Sequence, residues 1–214
     1  MLNRYFDHIF CINLLRRTDR LEHSINEFKR IGIEVEFIEA IDAKDLILPI
    51  YPDQNKKRLK PGARACSLSH LKCLELALER GYNRFLILED DCIFRDDIQE
   101  YFGKHIREVP DWDMLSFCNN HLKHPTYVNP EVRRITEAYS AMCYAMTKEM
   151  AVIAVKNIKE LYLRRAVDVV YSILHSQYNC YCFKENVVWS LPNVSDIQGG
   201  FQEYLLLKPG KNDC

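Results

Sequence analysis

The chain has 214 residues, 48% hydrophobic and 28% charged, with 29 Lys and Arg against 30 Asp and Glu for a formal net charge of -1. That composition belongs to an ordinary globular protein, and so even a charge balance gives no whole-molecule attraction to nucleic acid or anionic membrane. No apolar run approaches the roughly 18 to 20 residues that span a bilayer, and the first residues lack the apolar core of a signal peptide.

No Pro/Gly/Ser-rich linker divides the sequence, so one domain over residues 1–214, in the cytoplasm, is expected. The nine cysteines, odd in number and mostly within apolar segments, read as free buried thiols. Cys180 and Cys182 have one residue between them where a zinc knuckle needs two to four, so no structural zinc is expected.

Ile9 to Leu14 reads as a buried strand, followed by a helix whose apolar face is Leu21, Ile25, Phe28 and Ile31 and which Gly32 stops. A second strand is expected at Glu34 to Ile38, then a polar loop from Asp42 to Pro61. Leu68, Leu71, Leu74 and Leu78 mark a helix with Ser67 or Ser69 as N-cap and Gly81 past its end.

Phe85 to Leu88 is a strand running into Glu89-Asp90-Asp91. Asp96 or Asp97 can cap a helix carrying Ile98, Phe102 and Ile106, and Asp113 to Phe117 is a further strand. Residues 118–135, with two prolines and several Asn and His, read as a long loop of the kind used for binding. Ala141 to Met146 reads as a strand, Thr147 as the cap of a helix reaching about Leu163, Ala166 to His175 as another helix, and Cys180 to Phe183 and Val187 to Ser190 as closing strands. Strands separated by helices predict an α/β layer fold with a mostly parallel central sheet flanked by helices.

The acidic triplet Glu89-Asp90-Asp91 sits where a strand ends, and in open α/β sheets ligands collect outside the carboxyl ends of strands. Adjacent carboxylates repel one another unless a cation, an arginine or water neutralises them. Either a hard divalent ion such as Mn²⁺ or Mg²⁺ sits there, or the acids begin a solvated turn. Arg16, Arg17 and Arg20 follow the first strand, where guanidinium forks suit phosphate oxygens; a solvated first turn is the plainer alternative. No Gly-x-Gly-x-x-Gly or P-loop motif is present.

Ser69-His70 opens a helix as cap and neighbour, or lines a site. Asp168 interrupts an apolar stretch, which an acid does either as a helix cap or as an active-site carboxylate. His175, two turns on, would share its face.

In order and spacing, Ile12-Asn13-Leu14-Leu15-Arg16-Arg17-Thr18-Asp19-Arg20, Ala40-Ile41-Asp42, Leu68-Ser69-His70-Leu71 and Leu86 to Asp91 resemble glycosyltransferase family 25. That family includes bacterial lipooligosaccharide galactosyltransferases and collagen hydroxylysine galactosyltransferases. The likeness is good over residues 7–97 and resumes weakly at Ala141 to Thr147, Val167-Asp168 and Ser195-Asp196-Ile197. Leu15, Thr18 and Ala65 depart from the pattern, and none of these removes a charge.

The resemblance implies a GT-A type fold and inverting transfer of a hexose, galactose or glucose, from a UDP-sugar donor to a hydroxyl of a glycan or glycoprotein acceptor, with Mn²⁺ or Mg²⁺. It implies Asp91 and Glu89 at the metal, with Glu89 also on the nucleotide side. Asn13, Leu14, Arg16, Asp42 and Asp90 would lie about the nucleotide, Arg20 or Arg17 near phosphate, and Ser69 and His70 near ribose or diphosphate. Asp168 would be the catalytic base, with Asp196 in reserve. Two other classes remain: a metal-dependent phosphate enzyme, whose usual signatures are missing, and a non-catalytic sugar-nucleotide-binding relative acting as a scaffold.

Overall fold

The computed structural model describes residues 1–46, 59–197 and 199–202. A short helix α1 (Leu2–Tyr5) leads into β1 (His8–Asn13), α2 (Thr18–Ile31) and β2 (Glu36–Glu39). Next come α3 (Pro61–Glu79), β3 (Arg84–Glu89), β4 (Cys92–Phe94), α4 (Ile98–His105) and β5 (Met114–Ser116). Short strands follow, β6 (Asn120–Lys123), β7 (Thr126–Tyr127), β8 (Val132–Arg134) and β9 (Glu137–Tyr139). The remainder is β10 (Cys143–Thr147), α5 (Lys148–Leu161), α6 (Val167–His175), β11 (Cys180–Phe183), β12 (Val188–Ser190), β13 (Asn193–Val194) and β14 (Phe201–Gln202).

The main sheet has eight strands in the order β2-β1-β3-β10-β5-β11-β8-β7. β1 is parallel to β2 and β3, and β11 is parallel to β5. β10 enters antiparallel between β3 and β5, and β8 and β7 close the far edge antiparallel. The chain is thus α/β, with its parallel strands in two groups on either side of β10. Parallel neighbours need long crossovers, which α2 and α3 supply; β10 arrives from the short strands before it and needs none.

Period-two alternation sends Ile9 and Cys11 of β1, with Leu86 and Leu88 of β3, to one face, and Phe10, Ile12, Phe85 and Ile87 to the other. The first face packs on Phe28 and Phe102 from α2 and α4, the second on Leu74, Met150, Tyr171 and Leu174 from α3, α5 and α6. Side chains of this size contribute about 1.5 to 3 kcal/mol each when fully buried. Both faces being covered explains why β3 reads as an unbroken apolar run.

Several local expectations are corrected. On α2 the buried stripe is Ser24, Glu27, Phe28 and Ile31, while Ile25 is 50% exposed. Glu27 belongs inside because it accepts from the Phe94 amide at 2.7 Å and from both arms of Arg30. Helix α3 begins at Pro61, so Ser67 and Ser69 lie well inside it and cap nothing; proline at the first helical position has a preset φ and no amide to leave unpaired. Asp97 does occupy the N-cap of α4, but its carboxylate is held by Arg95. The long loop expected at 118–135 contains strands of two to four residues, pairing β6 with β9 and β7 with β8.

Other expectations hold: Gly32 ends α2 at φ 67°, the left-handed geometry glycine supplies cheaply, and Thr147 caps α5 through the Met150 amide at 3.3 Å. Most of the expected loop from Asp42 to Pro61 lies outside the described residues. Among the described residues no helix is long and apolar enough to cross a membrane.

Candidate active site

Because β1 and β3 are parallel neighbours, with Ile12 opposite Glu89, their carboxyl ends emerge side by side. A cleft of about 620 Å³ opens there. Leu14, Arg16, Arg20, Ser69, His70, Glu89, Asp90, Asp91, Asp168 and Asp196 all line it, drawn from segments as far apart in the chain as β1 and the residues after β13. Asn13 and Asp42, expected beside the nucleotide, stand one step back. Asn13 is buried and donates from Nδ2 to Asp90 Oδ2 at 2.7 Å, and Asp42 lines a smaller neighbouring pocket with Leu14 and Arg16.

Asp90 and Asp91 are buried, 5% and 6% exposed, and Glu89 is partly buried, so the solvated-turn alternative fails. Burial raises the Asp90 carboxyl above its ordinary range, against the pull of Arg20, whose Nη1 donates to Oδ1 at 2.8 Å. Burial and then the Glu89 charge push Asp91 up to about 6. Its Oδ2 accepts from Ser190 Oγ at 3.2 Å and Asn193 Nδ2 at 3.3 Å, whereas Oδ1 is shut from water and has no partner among the described residues. Burial also acts to raise Glu89, but the hydrogen bond and charge of His70 outweigh it and hold this acid below its ordinary value. A carboxylate oxygen with unused lone pairs, among like charges, fits a hard divalent cation. Asp91 with Glu89 would hold one.

Arg17 and Arg20 are largely covered, and Arg16, although exposed, is paired as well. Arg16 donates to Asp42 at 2.6 Å and pairs with Asp196 at 2.7 Å. Arg17 pairs with Asp19 at 2.8 Å and with Asp196. Arg20 spans Asp90, Asp91 at 3.5 Å, the Asn193 side chain and the Val194 carbonyl at 3.2 Å. Residues 193–197 are thereby tied across the start of α2. They also abut α3, where a Cβ on Gly62 would lie 3.0 Å from the Asp196 carbonyl oxygen.

Ser69 lies a turn of helix beyond Ala65; its Oγ donates to that carbonyl at 2.8 Å and accepts from the Ile41 amide at 2.9 Å, fixing the loop after β2. His70 is 1% exposed, with Nε2 3.1 Å from Glu89 Oε1 and Nδ1 2.9 Å from the Tyr144 hydroxyl. Asp168 lies in the first turn of α6 and is not its cap; Ala166 holds that position. Burial raises its carboxyl, and the Val169 amide donates to Oδ1 at 2.8 Å.

His175 shares the Asp168 face of α6, two turns on, but does not line the cleft. It is 2% exposed, away from the cleft, with burial pushing it down to about 4. The sequence reading missed Asn120, Tyr139, Ser140 and Ser190 in the cleft wall and Asn193 beside Asp91. Ser140 at φ 136° is a strained position that only coordinates reveal.

The profile of glycosyltransferase family 25 (LPS biosynthesis protein) matches residues 6–171, and the chain belongs to that family. It is 30% identical over 167 residues to procollagen galactosyltransferase 2 of Mus musculus, which covers 68% of this chain and 27% of that protein. It is 32% identical over 135 residues to a glycosyltransferase 25 family member of Aedes aegypti, 54% of this chain and 22% of the relative. The probable inactive glycosyltransferase 25 family member 3 of Bos taurus is 28% identical over 148 residues, 62% of this chain and 24% of that protein. The chain thus spans about a quarter of the length of these relatives. Among solved structures, the mannose-1-phosphate geranyltransferase of Thermus thermophilus superposes with a TM-score of 0.45 at 11% identity, over 82% of this chain and 72% of that one.

Proposed function

We propose that the chain is a metal-dependent, inverting GT-A type glycosyltransferase moving a hexose, galactose or glucose, from a UDP-sugar to a hydroxyl on a glycan or a hydroxylysine-type side chain. The observation that carries the reading is the convergence of Asp91, Glu89, Arg20 and Asp168 on one cleft within the span of the family match. Glycosyl transfer needs its leaving diphosphate neutralised, and bound Mn²⁺ or Mg²⁺ supplies a Lewis acid for that purpose. Asp91 Oδ1 and Glu89 would hold the ion.

Arg20 and Arg16 bind the phosphate oxygens through their planar forks, exchanging carboxylate partners for phosphate. Ser69 keeps the loop after β2 against the nucleoside. Asp168 takes the acceptor's proton on Oδ2 while its other oxygen stays on the Val169 amide, and its raised pKa suits a general base. Glu89, Asp90 and Asp91 are occupied with metal, arginine and nucleotide, so the base must be a separate acid, with Asp196 in reserve. The buried thiols Cys11, Cys73, Cys92, Cys118, Cys143 and Cys180 support a reducing compartment, the cytoplasm.

A second reading, a non-catalytic sugar-nucleotide-binding scaffold, is favoured by the inactive relative and by arginines already paired within the chain. Incubation with a panel of UDP-sugars and Mn²⁺ separates the two. Slow release of UDP, even without acceptor, supports transfer; binding without turnover across sugars and glycan acceptors supports the scaffold; hydrolysis of plain nucleotides refutes both.

A further inference from the structure

Cys66 and His70 stand four residues apart on α3, so their side chains stack on one helix face. That face meets the end of β3, where the Glu89 amide is tied to the Met142 carbonyl at 2.8 Å. The Cys66 sulfur, a His70 ring nitrogen and a Glu89 oxygen all lie within 4.8 Å of one another. Cys66 Sγ is 3.8 Å and His70 Nε2 3.1 Å from Glu89 Oε1. Zinc bonds of about 2.0 to 2.1 Å to nitrogen and oxygen and about 2.3 Å to sulfur, at tetrahedral angles, set ligand atoms about 3.3 to 3.6 Å apart. The two spacings to Glu89 are within a few tenths of an ångström of those edges, and the sulfur-to-nitrogen edge is no more than 4.8 Å.

We propose that Cys66, His70 and Glu89 form a site for a thiophilic divalent cation of the zinc class at the floor of the cleft, distinct from the all-oxygen position at Asp91. The donor set is one thiolate, one imidazole and one carboxylate, the ligands zinc takes and manganese or magnesium does not prefer. All three residues line the cleft.

The surroundings orient the imidazole as metal sites do. A ligating histidine donates its other ring N–H to a fixed partner, and His70 Nδ1 has the Tyr144 hydroxyl at 2.9 Å, itself 2.8 Å from the Tyr171 hydroxyl. On binding, the Cys66 S–H bond breaks and its proton leaves to solvent. His70 binds through Nε2 with its remaining ring proton on Nδ1, and Tyr144 turns to donate to Tyr171. At least one proton, that of Cys66, is released per ion. The site shares Glu89 with the proposed donor metal, so a zinc-class ion and the sugar donor exclude each other.

Titration of the full chain with Co²⁺ and then Zn²⁺, without donor, tests the assignment independently of any transfer activity. The expected result is a single saturable site with a thiolate-to-cobalt charge-transfer band, displaced by Zn²⁺, with at least one proton released as read from calorimetry in two buffers. Cys66→Ser should abolish the band and weaken Zn²⁺ at least tenfold. Glu89→Gln should keep the band while weakening affinity, and Asp91→Asn should keep both. No saturable binding, or a band of equal stoichiometry in Cys66→Ser, overturns the site. If Cys66→Ser does not fold, Glu89→Gln decides it, since unchanged Zn²⁺ affinity there has the same meaning. Absence of UDP release with zinc binding intact overturns sugar transfer and leaves this site standing.

Discussion

Replacing Asp91 with asparagine should make the metal-free protein more stable while removing its function. Burial and the Glu89 charge push this carboxyl from 3.8 up to about 6. A folded-state pKa above the unfolded one means the native state keeps a proton that the unfolded chain gives up, so stability falls as pH rises from about 4 to about 6 and stays low above that. The difference of about 2 pH units at about 1.4 kcal/mol each puts the cost of the ionised form near 3 kcal/mol at pH 7.

Asparagine keeps an oxygen for Ser190 and Asn193 but leaves its amide group where Oδ1 has no partner among the described residues, which returns about 1 kcal/mol. The net gain is about 2 kcal/mol, or about 4 to 8 °C in Tm for a chain of this size. Thermal unfolding in EDTA at pH 7.5 should show that rise, and at pH 4, where the wild-type acid is largely protonated, most of it should vanish. UDP binding in Mn²⁺ should meanwhile collapse. An unchanged or lower Tm at pH 7.5, or the same rise at both pH values, would refute the account of Asp91 as a carboxylate held under strain for a cation.

Asp168→Asn should lower kcat about 10² to 10⁴-fold, the usual worth of a general base, with UDP-sugar affinity nearly unchanged; loss of both would move Asp168 into the donor site. Arg20→Lys keeps the charge but not the fork joining Asp90, Asn193 and Val194, so competition binding should show UDP weakened roughly tenfold; equal affinity would free Arg20 from the phosphate role. Gly62→Ala would ordinarily favour a helix by up to about 1 kcal/mol, yet its Cβ would lie 3.0 Å from Asp196 backbone oxygen. A net loss of about 1 to 3 kcal/mol, typical of overpacking, with faster amide exchange at 195–197, is expected, and a gain in stability would show that this contact yields freely.

The sheet was legible where burial on both faces leaves no choice of residue. Phe85 to Leu88 could only be a central strand, and the acids after it mark its carboxyl end. What composition hid is what long-range pairing decides. The antiparallel entry of β10 and the two- to four-residue ladders between 120 and 139 have no periodicity to read. Ser69 looked like a cap because serine favours caps, but a tertiary bond to the Ile41 amide claims its hydroxyl. The reach of the cleft residues was visible in the motifs, whereas the partners that set their charges were not. Asn193, Tyr144 and Asp196 lie far from them in sequence, and nothing local announces that a tail residue will pair with Arg16 and Arg17.

Those pairings bear on how the protein responds to ionic strength. An anion entering the cleft does not meet bare guanidinium groups, since Arg16, Arg17 and Arg20 already hold Asp42, Asp19, Asp196 and Asp90. Added salt screens the attraction between arginine and an incoming diphosphate, but it also screens the internal pairs that must open, most of all the partly exposed Arg16 pairs. The two effects oppose, so donor affinity should vary with salt far less steeply than a count of three arginines would give.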